Sequence, residues 1–176
     1  MAKKIESKEL RALIKDIAMS IVYDFKDLSN VCLIGIHTRG VPIAKRIKTS
    51  IKRAAKIDLP VGKIDINLYR DDFSLSSESP IVKQTDVPFE VNGKNIILVD
   101  DVLFTGRTIR SALDAVMDIG RPERVMLAVL INRPKDREVP ICPDYYGMEI
   151  NLKRIMRVNV MLKEIDGEDK IVIVRK

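Results

Sequence analysis

Tryptophan is absent from this chain, histidine occurs once, as His37, and cysteine twice, as Cys32 and Cys142. One histidine cannot assemble a multi-histidine metal site or a serine–histidine–aspartate triad. Two cysteines, one in an apolar run and one in a proline-flanked loop, supply neither a disulfide framework nor a metal-ligand spacing. No apolar run approaches the roughly 20 residues needed to span a bilayer. The opening Met-Ala-Lys-Lys-Ile-Glu lacks the apolar stretch of a signal peptide. A cytoplasmic protein is the expectation. Aromatic residues make up only 5% of the chain, so no platform for stacking bases is visible.

What is present is hydrophobic (46%) and charged (32%) in the proportions of a globular protein. The 176 residues suffice for one domain with a three-layer core. Residues 8–25 set Leu10, Leu13, Ile14, Ile17, Ala18, Ile21, Val22 and Phe25 on one helical stripe, with Ser7 as its N-cap. Residues 31–36 are continuously apolar, as in a strand buried on both faces. A second helix is expected from the region of Pro42 to about Ala55, a half-covered strand over 64–69, a buried strand over 96–100 and a helix over 106–119. Another buried strand follows over 125–131. This alternation predicts an α/β fold, a parallel sheet with helices on both sides. Beyond Asn132 the pattern changes. Residues 133–153 are loop-rich, and 155–162 and 171–174 read as short strands joined at an Asp166-Gly167 turn. The expected organisation is a single domain, with a core over about 1–131 and a smaller carboxy-terminal hood over about 132–176.

The chemistry concentrates in Ile-Ile-Leu-Val-Asp-Asp-Val-Leu-Phe-Thr-Gly-Arg-Thr, residues 96–108. A buried strand delivers Asp100 and Asp101 to its carboxyl end, where open α/β sheets bind ligands. Val102, Leu103, Phe104, Thr105, Gly106, Arg107 and Thr108 then form a turn opening a helix, a setting in which backbone amides take phosphate. A phosphate cradle beside an acidic pair describes a site for a phosphorylated ribose. The run resembles the phosphoribosyl diphosphate (PRPP) signature of type I phosphoribosyltransferases. Thr38, Arg39 and Gly40 form a second strand-end loop able to hold a diphosphate, since arginine offers a planar fork of donors and glycine permits close approach. Arg70 begins a serine-rich stretch, 71–85, without period, which reads as a lid. If these segments face one cleft, Thr105–Thr108 take the 5′-phosphate, Asp100 and Asp101 the ribose hydroxyls, and Thr38–Gly40 with Arg70 the diphosphate. On this reading Asp100, Asp101, Arg39 and Arg70 carry catalysis. Mg²⁺ would arrive with PRPP, because it prefers diphosphate oxygens to an all-protein cage, and no dedicated metal motif is expected.

Gly-Ile-His-Thr-Arg-Gly at 35–40, Gly-Lys-Ile-Asp-Ile-Asn-Leu-Tyr-Arg-Asp-Asp at 62–72, Val-Asp-Asp-Val-Leu-Phe-Thr-Gly-Arg-Thr at 99–108 and Asp-Ile-Gly-Arg-Pro at 118–122 occur in order. Together they resemble the pyrimidine operon attenuator/uracil phosphoribosyltransferase (PyrR) family over nearly the whole chain. The resemblance implies a type I phosphoribosyltransferase fold and conversion of uracil and PRPP to UMP and diphosphate. In many members it also implies UMP-controlled binding of pyrimidine operon leader RNA, and a homodimer or homotetramer. It implies a base pocket in the segment holding Arg137, Glu138, Val139 and Ile141. There the chain departs from the family's Asp-Arg-Gly-His-Arg-Glu-Leu-Pro-Ile. Asn132-Arg133-Pro134-Lys135-Asp136-Arg137-Glu138-Val139-Pro140-Ile141 lacks the Gly-His pair, replaces the acid and is one residue longer. Two other readings therefore fit the same residues: a phosphoribosyltransferase for another base, and a non-catalytic nucleotide sensor that binds RNA.

The net charge of +6 is unevenly spread. Lys8, Arg11 and Lys15 share an outer face of the first helix, and Lys45, Lys48, Lys52 and Lys56 line the second. Clustered cations are the footprint of a phosphate-backbone binder, and Lys8, Arg11 and Lys15 are the RNA candidates. A merely solvated polar face gives the same pattern.

Overall fold

The computed structural model describes residues 4–67 and 85–175. In chain order it contains β1 (Lys4–Glu6), α1 (Ser7–Asp24), β2 (Val31–Ile36), α2 (Gly40–Ala55), β3 (Val61–Ile64) and β4 (Asn95–Leu103). These are followed by α3 (Arg107–Ile119), β5 (Arg124–Asn132), β6 (Tyr145–Glu149), β7 (Met156–Met161), α4 (Lys163–Asp166) and β8 (Lys170–Arg175).

Strands β2, β4 and β5 consist of apolar runs because both of their faces are covered. Val31, Leu33, Ile97, Val99, Ala128 and Leu130 turn toward α1 and α2. Their alternates Cys32, Ile34, Ile96, Leu98, Leu127 and Val129 pack with Ile109, Ala112 and Val116 of α3. The sheet order is β3-β2-β4-β5-β6, and every neighbouring pair is parallel. The α/β architecture expected from the alternation is thus observed, with the carboxyl ends of β2 and β4 side by side.

A second, antiparallel sheet of order β1-β8-β7 forms the hood. It corrects the expected division at 131 in two places. Residues 4–6 pair with Val172, Ile171 and Lys170, so the amino terminus belongs to the hood sheet. Residues 145–149 lie beside β5 and extend the core sheet. A three-residue strand carries too little alternation to be read. The strand at 145–149 is hidden by its prolines and by Gly147, where a Cβ would sit 2.9 Å from both the Leu130 carbonyl and Leu13 Cβ.

Local boundaries also shift. The helix begins at Ser7 itself, with Glu6 at the cap and no side-chain capping bond, because the chain passes directly from β1 into α1. The expected strand over 64–69 is instead Val61–Ile64, paired to β2. Asp65 ends it by accepting the Asn67 amide at 3.0 Å and the Asn67 side chain at 3.2 Å. The hood turn holds α4 before Gly167, whose φ of +78° needs glycine. Arg70 and residues 71–84 of the expected lid lie outside the described residues. Among the described residues, no helix is long and apolar enough to cross a membrane.

Candidate active site

Two glycines bring the β2 loop onto the end of β4. A Cβ on Gly40 would lie 2.1 Å from the Val99 carbonyl oxygen, and one on Gly35 would lie 2.5 Å from Val41 Cα. Only glycine fits such gaps, so His37, Thr38 and Arg39 are held against the strand that delivers the acidic pair. The His37–Thr38 peptide is cis. A cleft of about 220 Å³ results, lined by His37, Thr38, Arg39, Ile66, Asn67, Asp100, Asp101, Val102 and Thr108. The sequence-predicted loop, acids and turn therefore meet at one place.

Asp100 is buried rather than solvated, at 7% exposure. Its carboxylate accepts the Asp101 amide at 2.9 Å, and the Asp101 carboxylate accepts the Val102 amide at 2.8 Å. Burial, and then the adjacent Asp101 charge, push the Asp100 carboxyl well above the ordinary carboxylate range. Burial also raises Asp101, against the opposing pull of the Val102 amide and the Arg39 charge. Two under-compensated carboxylates at a strand end fit donors such as ribose hydroxyls, and they fit a hydrated cation. Among the described residues, no cluster of His, Cys, Asp and Glu forms a metal cage.

Arg39 stands at the cap of α2. Its Nη2 donates to Asp166 Oδ1 of α4 at 2.8 Å, and its Nε is buried without an acceptor among the described residues. Asp166, 127 residues away in sequence, is absent from the sequence-predicted site. So are Ile66 and Asn67, which sit where a continuing strand was expected.

The turn after β4 is braced from behind. Arg137 Nη1 donates to the Leu103 carbonyl at 2.9 Å and also to the Phe104 carbonyl. The Glu138 and Val139 amides donate to the Thr105 carbonyl at 3.0 and 3.3 Å. In a trans peptide the carbonyl and the following N–H point oppositely, so the amides of Phe104, Thr105 and Gly106 face away from this brace. Gly106 has φ +92°, and a Cβ there would meet Val139 Cγ2 at 2.6 Å.

The four residues expected to line a base pocket are not among the described lining of the cleft. Arg137 spends its remaining donors on the Ile141 and Arg133 carbonyls and on Asn132 Oδ1. Glu138 accepts from Arg107 Nε at 2.8 Å and from Arg154. Val139 covers Gly106, and Ile141 packs against the α3-side core. Leu103 is buried in that same core, while Phe104 lies under Arg133, whose Cζ is 4.5 Å from the ring centroid.

Away from the cleft, Arg11 and Lys15 line a groove of about 800 Å³ between α1 and α2, together with Lys45, Arg46 and Arg53. Lys8 is exposed on the same helix but outside this groove. Lys48, Lys52 and Lys56 border an adjoining cavity that shares Thr49 and Arg53.

The comparisons with known proteins agree with this geometry. The model of the phosphoribosyl transferase domain matches residues 2–164. The "Bifunctional protein PyrR" of Acetivibrio thermocellus is 51% identical over 168 residues, covering 96% of this chain and 90% of its own length. That of Syntrophobacter fumaroxidans is 46% identical over 169 residues, covering 96% and 90%. Among solved structures, a hypoxanthine-guanine phosphoribosyltransferase from Bacillus anthracis superposes with a TM-score of 0.66 at 22% identity, over 85% of this chain and 84% of that one. The hypoxanthine phosphoribosyl transferase of Trypanosoma cruzi gives a TM-score of 0.73 at 17% identity, over 99% and 91%. With its cleft built on the β2 and β4 strand ends and its near-full-length relatives, this chain belongs to the phosphoribosyl transferase domain family and, within it, to the PyrR group of type I phosphoribosyltransferases.

Proposed function

We propose that the chain transfers the phosphoribosyl group of PRPP to uracil, giving UMP and diphosphate, and binds RNA through the α1–α2 face. The observation that carries the enzymatic reading is the convergence of Thr38, Arg39, Asp100, Asp101 and Thr108 on one cleft. The relatives' printed name, bifunctional PyrR, supports the pairing of catalysis with a second role.

Phosphoribosyl transfer passes through an oxocarbenium-like transition state as charge builds on the leaving diphosphate, so no protein nucleophile is needed. The protein's tasks are to position the reactants, stabilise that charge and exclude water. The forward-facing amides of 104–106, with Thr105 and Thr108, receive the 5′-phosphate. Asp100 and Asp101 accept hydrogen bonds from the ribose hydroxyls and face the developing positive charge. Arg39, whose buried Nε awaits an acceptor, takes the diphosphate with Thr38 and the 37–40 backbone; Arg70 completes this set. Bound with PRPP, Mg²⁺ would neutralise diphosphate charge, with Asp100 and Asp101 the nearest protein groups to meet its waters.

The regulatory reading is supported by the cationic groove between α1 and α2. It includes UMP as the controlling nucleotide, leader RNA as the partner, a homodimer or homotetramer, and a cytoplasmic setting. The deciding experiment is a panel of bases assayed with PRPP and Mg²⁺, run beside Asp100→Asn/Asp101→Asn. Uracil-dependent diphosphate release that this double variant abolishes, with weakened PRPP binding in a folded protein, supports the proposal. Turnover of hypoxanthine or orotate instead assigns another base. Leader-RNA binding without any turnover assigns a sensor.

A further inference from the structure

The hood is tied to the amino-terminal half of α2 by three carboxylates on one turn. Arg46 Nε donates to Glu164 Oε1 at 2.8 Å, and Arg46 Nη2 and Nη1 reach Asp169 at 2.7 and 3.1 Å. Two helical turns earlier, Asp166 takes Arg39. The Asp166 carboxylate is only 16% exposed and is itself oriented, since its Oδ2 accepts the Leu162 amide at 2.9 Å. The contact is therefore one oxygen on one Nη2 atom. It fixes the guanidinium while leaving Nε, buried and without an acceptor among the described residues, on the side of the cleft.

We propose that Asp166 is a positioning residue for phosphoribosyl transfer: from the hood, it holds Arg39 in the orientation that receives the diphosphate of PRPP. The inference rests on the assignment of Arg39 to the diphosphate. A long side chain anchored at one nitrogen has less freedom to lose when the ligand arrives, and its remaining donors are already aimed. Glu164, Asp169 and Arg46 hold the turn that carries Asp166, so the anchor is backed by a second ion-paired contact. Asp166 never touches substrate; it acts through Arg39.

The test is a double-mutant cycle on Arg39 and Asp166. Asp166→Asn keeps an oxygen to accept the Leu162 amide, so the hood turn stays capped while the charge facing Arg39 is removed. Asp166→Glu keeps the charge and serves as the rescue variant. Expected for Asp166→Asn are a KM for PRPP and an inhibition constant for diphosphate both raised about tenfold, a UMP dissociation constant changed by less than about twofold, and partial recovery in Asp166→Glu. In an Arg39→Ala background, Asp166→Asn has no further effect. Equal weakening of PRPP and UMP, an undiminished effect in the Arg39→Ala background, or tighter PRPP binding overturns the proposal. Arg39→Ala that weakens diphosphate while Asp166→Asn does not overturns the proposal alone. Arg39→Ala without effect on diphosphate overturns the assignment of Arg39 itself, and the proposal with it.

Discussion

Asp136 neutralises the guanidinium of Arg133 inside the protein: Arg133 Nε donates to Asp136 Oδ2 at 2.9 Å, and Nη2 makes an ionic contact with the same oxygen at 2.7 Å. The two side chains are 3% and 6% exposed, so neither charge has water to fall back on. Arg133 also donates to the Met156 carbonyl of the hood and covers the Phe104 ring in the turn after β4. One buried ion pair thus sits where the hood meets the phosphate turn.

Removing one partner of such a pair strands the other charge. Asp136→Ala is expected to lower unfolding stability by about 3–5 kcal/mol. Asp136→Asn, which keeps an acceptor, is expected to cost less. Urea denaturation followed by far-UV circular dichroism checks both. A loss within experimental error in Asp136→Ala would mean that Arg133 finds another anion or reaches solvent.

Asp100 gives a prediction of opposite sign. Its carboxyl is raised in the folded protein, chiefly by burial and then by Asp101, so the folded state favours the protonated form. That contribution to stability is fully present below the ordinary carboxylate range and is lost as pH rises through the raised folded value. At neutral pH the ligand-free protein carries the cost of an ionised, buried carboxylate. Asp100→Asn is therefore expected to raise Tm at pH 7–8, by about 2–4 °C for each 1 kcal/mol relieved, while abolishing turnover. The gain should shrink toward pH 4. Thermal melts across this range test it, and a variant that melts lower than the parent at pH 8 contradicts it.

The acid limb of stability should depend on Arg46. Hydrogen bonds from Arg46 hold the Glu164 carboxyl below its ordinary value. Burial alone would raise Asp169, yet bonds from Arg46 and the Lys163 amide bring it below its ordinary value as well. Groups lowered in this way contribute stability above the unfolded carboxylate range and lose it as pH falls through the folded values. Arg46→Ala should lower Tm at pH 7 and flatten its decline between neutral and acid pH. Parallel Tm–pH curves for the variant and parent would show that these carboxylates stabilise without Arg46.

Much of this fold was legible in the chain because β2, β4 and β5 are apolar on both faces, and only a doubly covered parallel sheet accepts such runs. The acids at 100 and 101, the Thr38–Gly40 loop and the turn at 102–108 were legible because their chemistry follows directly from strand-end position. Asp166 was not. It reaches Arg39 across 127 residues, on a hood turn whose sequence reads as an ordinary acidic loop. Nor was the use of Arg137, because a loop arginine looks the same whether it faces a ligand or its own backbone carbonyls. β1 escaped reading because three residues carry almost no pattern.

The RNA face supplies the final prediction. One side of α1 is committed to the core through Leu10, Leu13, Ile14 and Ile17. Lys8, Arg11 and Lys15 stand exposed on the other, and Arg11 and Lys15 join Lys45 and Arg53 along the groove with α2. If this face holds an RNA backbone, affinity for pyrimidine leader RNA falls steeply with salt, and each lost phosphate contact reduces the log–log slope by about 0.7–0.9. Replacing Lys8, Arg11 and Lys15 together by Glu should impair RNA binding and flatten that slope. Uracil turnover should stay close to that of the parent, since the catalytic cleft lies at the strand ends of β2 and β4. Filter binding across a salt series, with diphosphate release measured on the same preparations, provides both readouts. A triple variant that binds RNA as tightly as the parent at every salt concentration makes this face a solvated one. A parent that does not distinguish pyrimidine leader RNA from unrelated RNA removes the regulatory half of the proposed function while leaving the catalytic half standing.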